Sequence, residues 1–182
     1  MTDLERLRAL QDEAARKARL KYLFFWSHKE GSRSAGRACL SQWYPAPFVL
    51  DGARYPTAEH WLMAEKARLF GDAHARDRVL AARSPGAAKR IGREVRRFDE
   101  AVWGRERFGV AVRGNVAKFG QNPELGRFLV GTRRRVLVEA SPRDRVWGIG
   151  LAEDDDRATT PSLWRGLNVL GFSLMEARSR LP

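Results

Sequence analysis

Four helix-start signals follow one another along this chain, at Thr57, Ser84-Pro85, Asp99 and Asn122-Pro123, and they constrain the fold more than any other feature of the sequence. Each sets a short polar side chain ahead of a helix-forming run, twice with proline at the first helical position, where a missing N–H costs nothing. From Pro56 onward the chain therefore reads as helices joined by short connectors. Ahead of them the pattern differs. Tyr22 to Trp26 is an aromatic run of strand character, and Phe48-Val49-Leu50 and Ala53-Arg54-Tyr55 flank Asp51-Gly52, a strong hairpin signal. Val136-Leu137-Val138 adds a short strand before the turn-rich Ser141-Pro142-Arg143-Asp144, and a last helix is expected from Ser162 to Arg180. The expected class is mainly α (α+β), a compact helical domain with a few short strands.

With 182 residues one domain suffices. Residues 3 to 20 read as a polar helix with Leu4, Leu7, Leu10 and Ala14 on one stripe, a docking or peripheral segment that looks expendable, so residues 1–21 are expected to be an N-terminal peripheral helix and 22–182 the domain proper. No apolar run approaches the roughly 20 residues a membrane span requires, and the N-terminus lacks a secretory pattern. A lone Cys39 forms no internal disulfide, and His28, His60 and His74 have no zinc-ligand spacing, so no metal, no cofactor and a cytoplasmic setting are expected. The formal charge of +12 favours anionic partners, although its scattered arginines equally fit a biased base composition.

On a helical wheel, Thr57 to Phe70 places Leu62, Met63, Ala67, Leu69 and Phe70 on one apolar stripe, with Glu59 and Lys66 in its middle and Glu65 and Arg68 opposite. The residues three and four away from Lys66 are all apolar, so the helix offers it no partner. Seven residues separate it from Glu59, about 10.5 Å along the axis at 1.5 Å per residue, a gap the size of a sugar ring. Apolar surroundings lower a lysine pKa toward a nucleophilic amine and raise a glutamate pKa toward acid–base work. Either residue alone also fits an ordinary role, the lysine stem lying on apolar surface and the glutamate meeting the helix dipole. His60, at the stripe's edge, fits a core histidine as well as a site residue.

Ser41-Gln42-Trp43-Tyr44 joins polar side chains to aromatic planes that suit a flat heterocycle, or simply pack in a core. Asp144, in a turn followed by Trp147 and Gly148, fits a ribose-hydroxyl acceptor, a second acid–base group, or a plain turn former. Asn168, at the edge of the last helix, is placed to read a ligand.

Together these segments resemble the NADAR, or YbiA-like, domain family. The resemblance rests on Ser41-Gln-Trp-Tyr44, Tyr55-Pro-Thr-Ala-Glu59-His-Trp-Leu-Met-Ala-Glu-Lys66, Phe70-Gly-Asp72, Ser141-Pro-x-Asp144-x-x-Trp147-Gly148-Ile-Gly150 and Trp164-x-Gly-x-Asn168-x-Leu-Gly171, and spans residues 22 to 181. It implies cleavage of an N-glycosidic bond to ribose. Substrates of such proteins are early riboflavin-pathway intermediates, releasing ribose phosphate from an aminopyrimidine, or ADP-ribosylated guanine. By the same resemblance Lys66 is the imine-forming amine, Glu59 its acid–base partner and Asp144 a third catalytic group. Ser41, Gln42, Trp43, Trp103, Trp147, Gly148 and Asn168 are the implied substrate contacts. The implied partner is a phosphorylated ribosyl small molecule, or modified guanine in nucleic acid; a non-catalytic nucleotide-binding module is the rival. Steep salt dependence would mark the phosphate-tracking binder. Direct attack by water, with Glu59 or Asp144 as base, competes with the imine.

Overall fold

The computed structural model describes residues 1–16, 19–26 and 36–182. Its elements are α1 (Asp3–Arg16), β1 (Tyr22–Phe25), β2 (Phe48–Leu50), β3 (Ala53–Tyr55), α2 (Ala58–Leu69), α3 (Ala73–Leu80), α4 (Pro85–Arg93), α5 (Glu100–Gln121), α6 (Pro123–Gly131), β4 (Val136–Glu139) and α7 (Val169–Ser179). The mainly helical class is as expected. The end of the helix anticipated over 3–20 includes residues 17 and 18, and His28 falls in 27–35; both stretches lie outside the described residues.

The start signals work by different means. Ser84 and Asp99 cap with their side chains, Ser84 accepting from the Ala87 N–H and Asp99 from those of Ala101 and Val102. Thr57 instead commits its hydroxyl to His60, and Asn122 donates its amide to the Pro47 and Lys118 carbonyls. The hairpin forms in the expected register, Phe48 opposite Tyr55 and Leu50 opposite Ala53, with Asp51 and Gly52 at φ 50° and 75°. Strands β1 and β4 pair in parallel from Tyr22 and Val136 to Phe25 and Glu139, which delivers Glu139 to the strand's C-terminal end.

Two expectations are corrected. Helix α2 is buried almost all round: Trp61 and Ala64 are inaccessible, and Glu65, expected on the solvent side, is 3% exposed, held by Arg68 at 2.9 Å with Arg113 at 3.6 Å. Packed by α3, α4 and α5, the helix leaves Arg68 in solvent but encloses Glu65. The last helix begins at Val169, not Ser162, because residues 165 to 170 hydrogen-bond to the loop 145–149 and Asn168 adopts φ 52°. Gly166 allows this approach, since a Cβ there would lie 2.8 Å from the Arg145 carbonyl oxygen. Helix α1 docks on the domain. Leu7 and Leu10 pack with Val136, Val138 and Ile149, and buried Asp3 binds Arg107 at 2.8 Å. Removing one partner of such a buried pair leaves an uncompensated charge.

Candidate active site

The loop after the 3-10 turn Arg37–Leu40 meets the start of α2. The Gln42 carbonyl accepts the Glu59 N–H at 3.0 Å, occupying one of the donors a helix N-terminus leaves open, while the Gln42 side chain turns inward to Asn115 at 3.0 Å. The Ser41 hydroxyl accepts the Trp43 N–H at 3.2 Å, and the Trp43 ring lies over Gly86 at the start of α4. Beneath this loop, fully buried Lys118 donates to the Cys39 and Ser41 carbonyls at 2.7 and 2.8 Å. Burial pushes its pKa down to about 7. The neutral amine still has the two hydrogens these carbonyls use.

On the far side, Asp144 closes its turn by accepting the Val146 and Trp147 N–H groups at 2.9 and 2.8 Å on one oxygen. Gly148 lets this turn fold back, because a Cβ there would meet the Glu139 carbonyl oxygen at 2.8 Å. Between loop and turn opens a cavity of about 670 Å³ lined by Trp26, Ser41, Trp43, Lys89, Arg93, Glu139, Ser141, Arg143, Asp144, Arg145 and Val146.

Glu59 is 4% exposed, hydrogen-bonded by Trp43 and within electrostatic reach of Asp144, Lys89 and Arg93. Burial pushes its pKa up to about 7 and Asp144 adds to the shift, whereas Lys89, Trp43 and Arg93 oppose it. Glu139 is pushed up to about 8, again mainly by burial, then by Asp144. Glu59 thus stands where a carboxyl exchanges protons near neutrality, facing cations that suit an anionic substrate.

Lys66 is elsewhere. Its amine sits 3.9 Å from the centre of the Phe98 ring and 6.0 Å from that of Trp103, and burial lowers its pKa. Met63, on the same stripe, is buried and packs directly on Gly92 of α4. Neither Lys66 nor Glu59 is among the residues that line the cavity; Lys89 is the lysine that lines it.

The remaining expectations divide. Ser41, Trp43 and Asp144 line the cavity. Gln42, Trp103, Trp147, Gly148 and Asn168 do not, and serve packing or the backbone. Asn168 is fully buried, accepting the Glu139 N–H at 3.0 Å and donating to the Leu137 carbonyl at 2.9 Å, so it ties the start of α7 to β4. His60 is a core histidine: its Nε2–H donates to the Ala82 carbonyl at 3.1 Å and its Nδ1 accepts from Thr57 at 2.8 Å.

Sequence reasoning missed Glu139, Lys89 and Arg93. Glu139 carried a faint signal, an acid ending the apolar run Val136-Leu137-Val138, whereas Lys89 and Arg93 look like any basic residues on a polar helix. Among the described residues, no group of His, Cys, Asp and Glu side chains is arranged to hold a metal ion, and no helix is long and apolar enough to cross a membrane.

Comparison with known proteins gives concordant results. The family model described as "NADAR domain" matches residues 24–182. N-glycosidase R617 of Acanthamoeba polyphaga mimivirus is 39% identical over 163 residues, covering 87% of this chain and 95% of that protein. N-glycosidase YbiA of Escherichia coli K12 is 33% identical over 135 residues, 74% of this chain and 76% of that protein. The chloroplastic riboflavin biosynthesis protein PYRR of Zea mays is 37% identical over 138 residues, 72% of this chain but 20% of that protein. The NMR structure of E. coli YbiA superimposes with a TM-score of 0.70 at 27% identity, covering 90% of this chain and 86% of that one.

Proposed function

The chain belongs to the NADAR domain family and is an N-glycosidase, and from that premise we propose that it hydrolyses the bond between a phosphorylated ribose and the nitrogen of a pyrimidine-type base, through a lysine imine. One observation carries this reading: Glu139 and Asp144 line one cavity with the cations Lys89, Arg93, Arg143 and Arg145 and the ring of Trp43, and buried Glu59 lies behind that lining, hydrogen-bonded by Trp43 and within electrostatic reach of Lys89, Arg93 and Asp144. Its volume, about 670 Å³, falls in the usual range for small-ligand sites. The arginines suit a phosphate and Trp43 suits a flat base. The riboflavin name of the maize relative supports an aminopyrimidine substrate. ADP-ribosylated guanine is the alternative substrate, with the same bond broken.

In this reading Glu59, protonated, gives its proton to the ribose ring oxygen. The C1–O bond opens, and the resulting iminium at C1 is electrophilic. A lysine amine adds to C1, the Glu59 carboxylate takes the amine's proton, the base departs, and water hydrolyses the lysine imine to free the sugar.

Position decides which lysine acts. Burial lowers the Lys66 pKa, but Lys66 is not among the residues that line the cavity, and a nucleophile must first lie within reach of its carbon. We assign the amine to Lys89, which lines the cavity and lies within electrostatic reach of Glu59. Borohydride added during turnover, followed by peptide mapping, tests this: a sugar adduct on Lys89 supports it. An adduct on Lys66 moves the imine to that residue, and repeated absence of any adduct under turnover argues for direct attack by water.

A further inference from the structure

Glu139 is the one described residue with a buried side-chain oxygen that has no hydrogen-bond partner: its Oε2 is out of solvent and unpaired. Leaving a buried polar atom unpaired costs about 1–3 kcal/mol, and such atoms in native structures call for an explanation. Nothing loose accounts for it. The Glu139 N–H is held by Asn168 at 3.0 Å, its carbonyl accepts the Ile149 N–H at 3.0 Å, and the residue is in register with Phe25 across the parallel strands. The backbone is fixed on every side while the carboxyl lines the cavity that Asp144 and Lys89 also line.

We infer that Glu139 is a second catalytic acid, the group that protonates the leaving nitrogen of the base. The inference rests on the proposed N-ribosidic cleavage, which requires two proton deliveries: one to the ring oxygen when the sugar opens, and one to the base when it departs. Glu59 supplies the first. Once the lysine has added to C1, Glu139 passes its proton to the base nitrogen while the C1–N bond breaks, its electron pair staying on nitrogen and the lysine nitrogen closing the imine. The Glu139 carboxylate then takes a proton from the water whose hydroxide adds to the imine carbon, which restores the acid. Burial is the main cause that favours the proton-bearing form of Glu139; Asp144 and Glu59 add to it, while Lys89 opposes them.

The test compares wild type with Glu139→Gln on two N-ribosyl phosphates, one carrying aniline and one carrying para-nitroaniline, whose nitrogen is far less basic and needs less help to leave. On the aniline compound, Glu139→Gln is expected to lose about 10²–10⁴-fold in kcat with little change in KM. On the para-nitroaniline compound the loss shrinks, and with it the alkaline fall in wild-type kcat that Glu139 imposes. Equal losses on both compounds, or wild-type rates from Glu139→Gln, overturn the inference and leave the N-glycosidase reading standing. Failure of the wild type to cleave either compound or any ribosylated base overturns both.

Discussion

The Gln42 carbonyl accepts the Glu59 N–H at 3.0 Å, so the loop that walls one side of the cavity also caps the helix whose carboxyl it encloses. Trp43, the next residue, hydrogen-bonds that same carboxyl. Loop and helix therefore cannot shift independently, which keeps the acid in a fixed place before substrate arrives.

Replacing Trp43 by Phe removes this hydrogen bond and keeps the aromatic plane. The bond favours the charged form of Glu59, so its loss raises the Glu59 pKa further. The pH profile of kcat in Trp43→Phe should move its Glu59-dependent limb to higher pH; an unmoved limb would show that the indole does not set this acidity.

The two raised carboxyls also predict how stability responds to pH. Each has a folded pKa above its unfolded one, so its contribution is fully present below about pH 4.3 and is lost as pH rises through about 7 for Glu59 and about 8 for Glu139. A Glu139→Gln protein should therefore gain Tm relative to wild type on going from pH 5 to pH 9. Parallel Tm curves across that range would contradict the burial of this carboxyl.

Lys118 has the opposite sign. Its folded pKa of about 7 lies below the ordinary lysine value, so its contribution is present at high pH and is lost as pH falls through 7. Lys118→Met leaves the Cys39 and Ser41 carbonyls without their donor and should cost about 1–3 kcal/mol, with the deficit against wild type largest near pH 10. Denaturant titrations at pH 6.5 and pH 10 read this difference directly.

Gly92→Ala tests the packing of α2 on α4. Alanine is the better helix former, yet its methyl would collide with the Met63 side chain. We expect a net loss of about 1–3 kcal/mol, recovered in part by the additional change Met63→Ala. Neutral or stabilising behaviour of Gly92→Ala alone would place Met63 elsewhere.

Lys66→Met supplies the catalytic counterpart. With the amine assigned to Lys89, turnover should stay within a few-fold of wild type, whereas Lys89→Met should lose the covalent route. A dead Lys66→Met protein of normal Tm would return the imine to Lys66.

The pattern of residue types made local structure legible. Asp51-Gly52 dictated its hairpin, and Ser84 and Asp99 dictated two helix starts, because each acts through its nearest neighbours. What sequence could not supply was which faces meet. The wheel put Glu65 toward solvent, but α2 is enclosed by three other helices, and no residue within α2 announces them. The same limit governed the site. Glu59 was singled out for its place on an apolar stripe, and its surroundings come from α4 and the loop after β4, distant in sequence. Lys66 shared that stripe and not those surroundings. Asn168 looked like a ligand reader because an uncharged amide near a helix start has no visible partner until β4 lies beside it.

The most direct measurement is single-turnover release of the base from a ribosylated aminopyrimidine phosphate, comparing wild type with Glu59→Gln at pH 7 and following substrate binding separately. The account predicts release by the wild type, unchanged folding and near-normal binding in the variant, and a rate lower by about 10²–10⁴-fold. Equal rates for the two proteins would show that the carboxyl between Trp43, Lys89 and Asp144 does not drive the reaction.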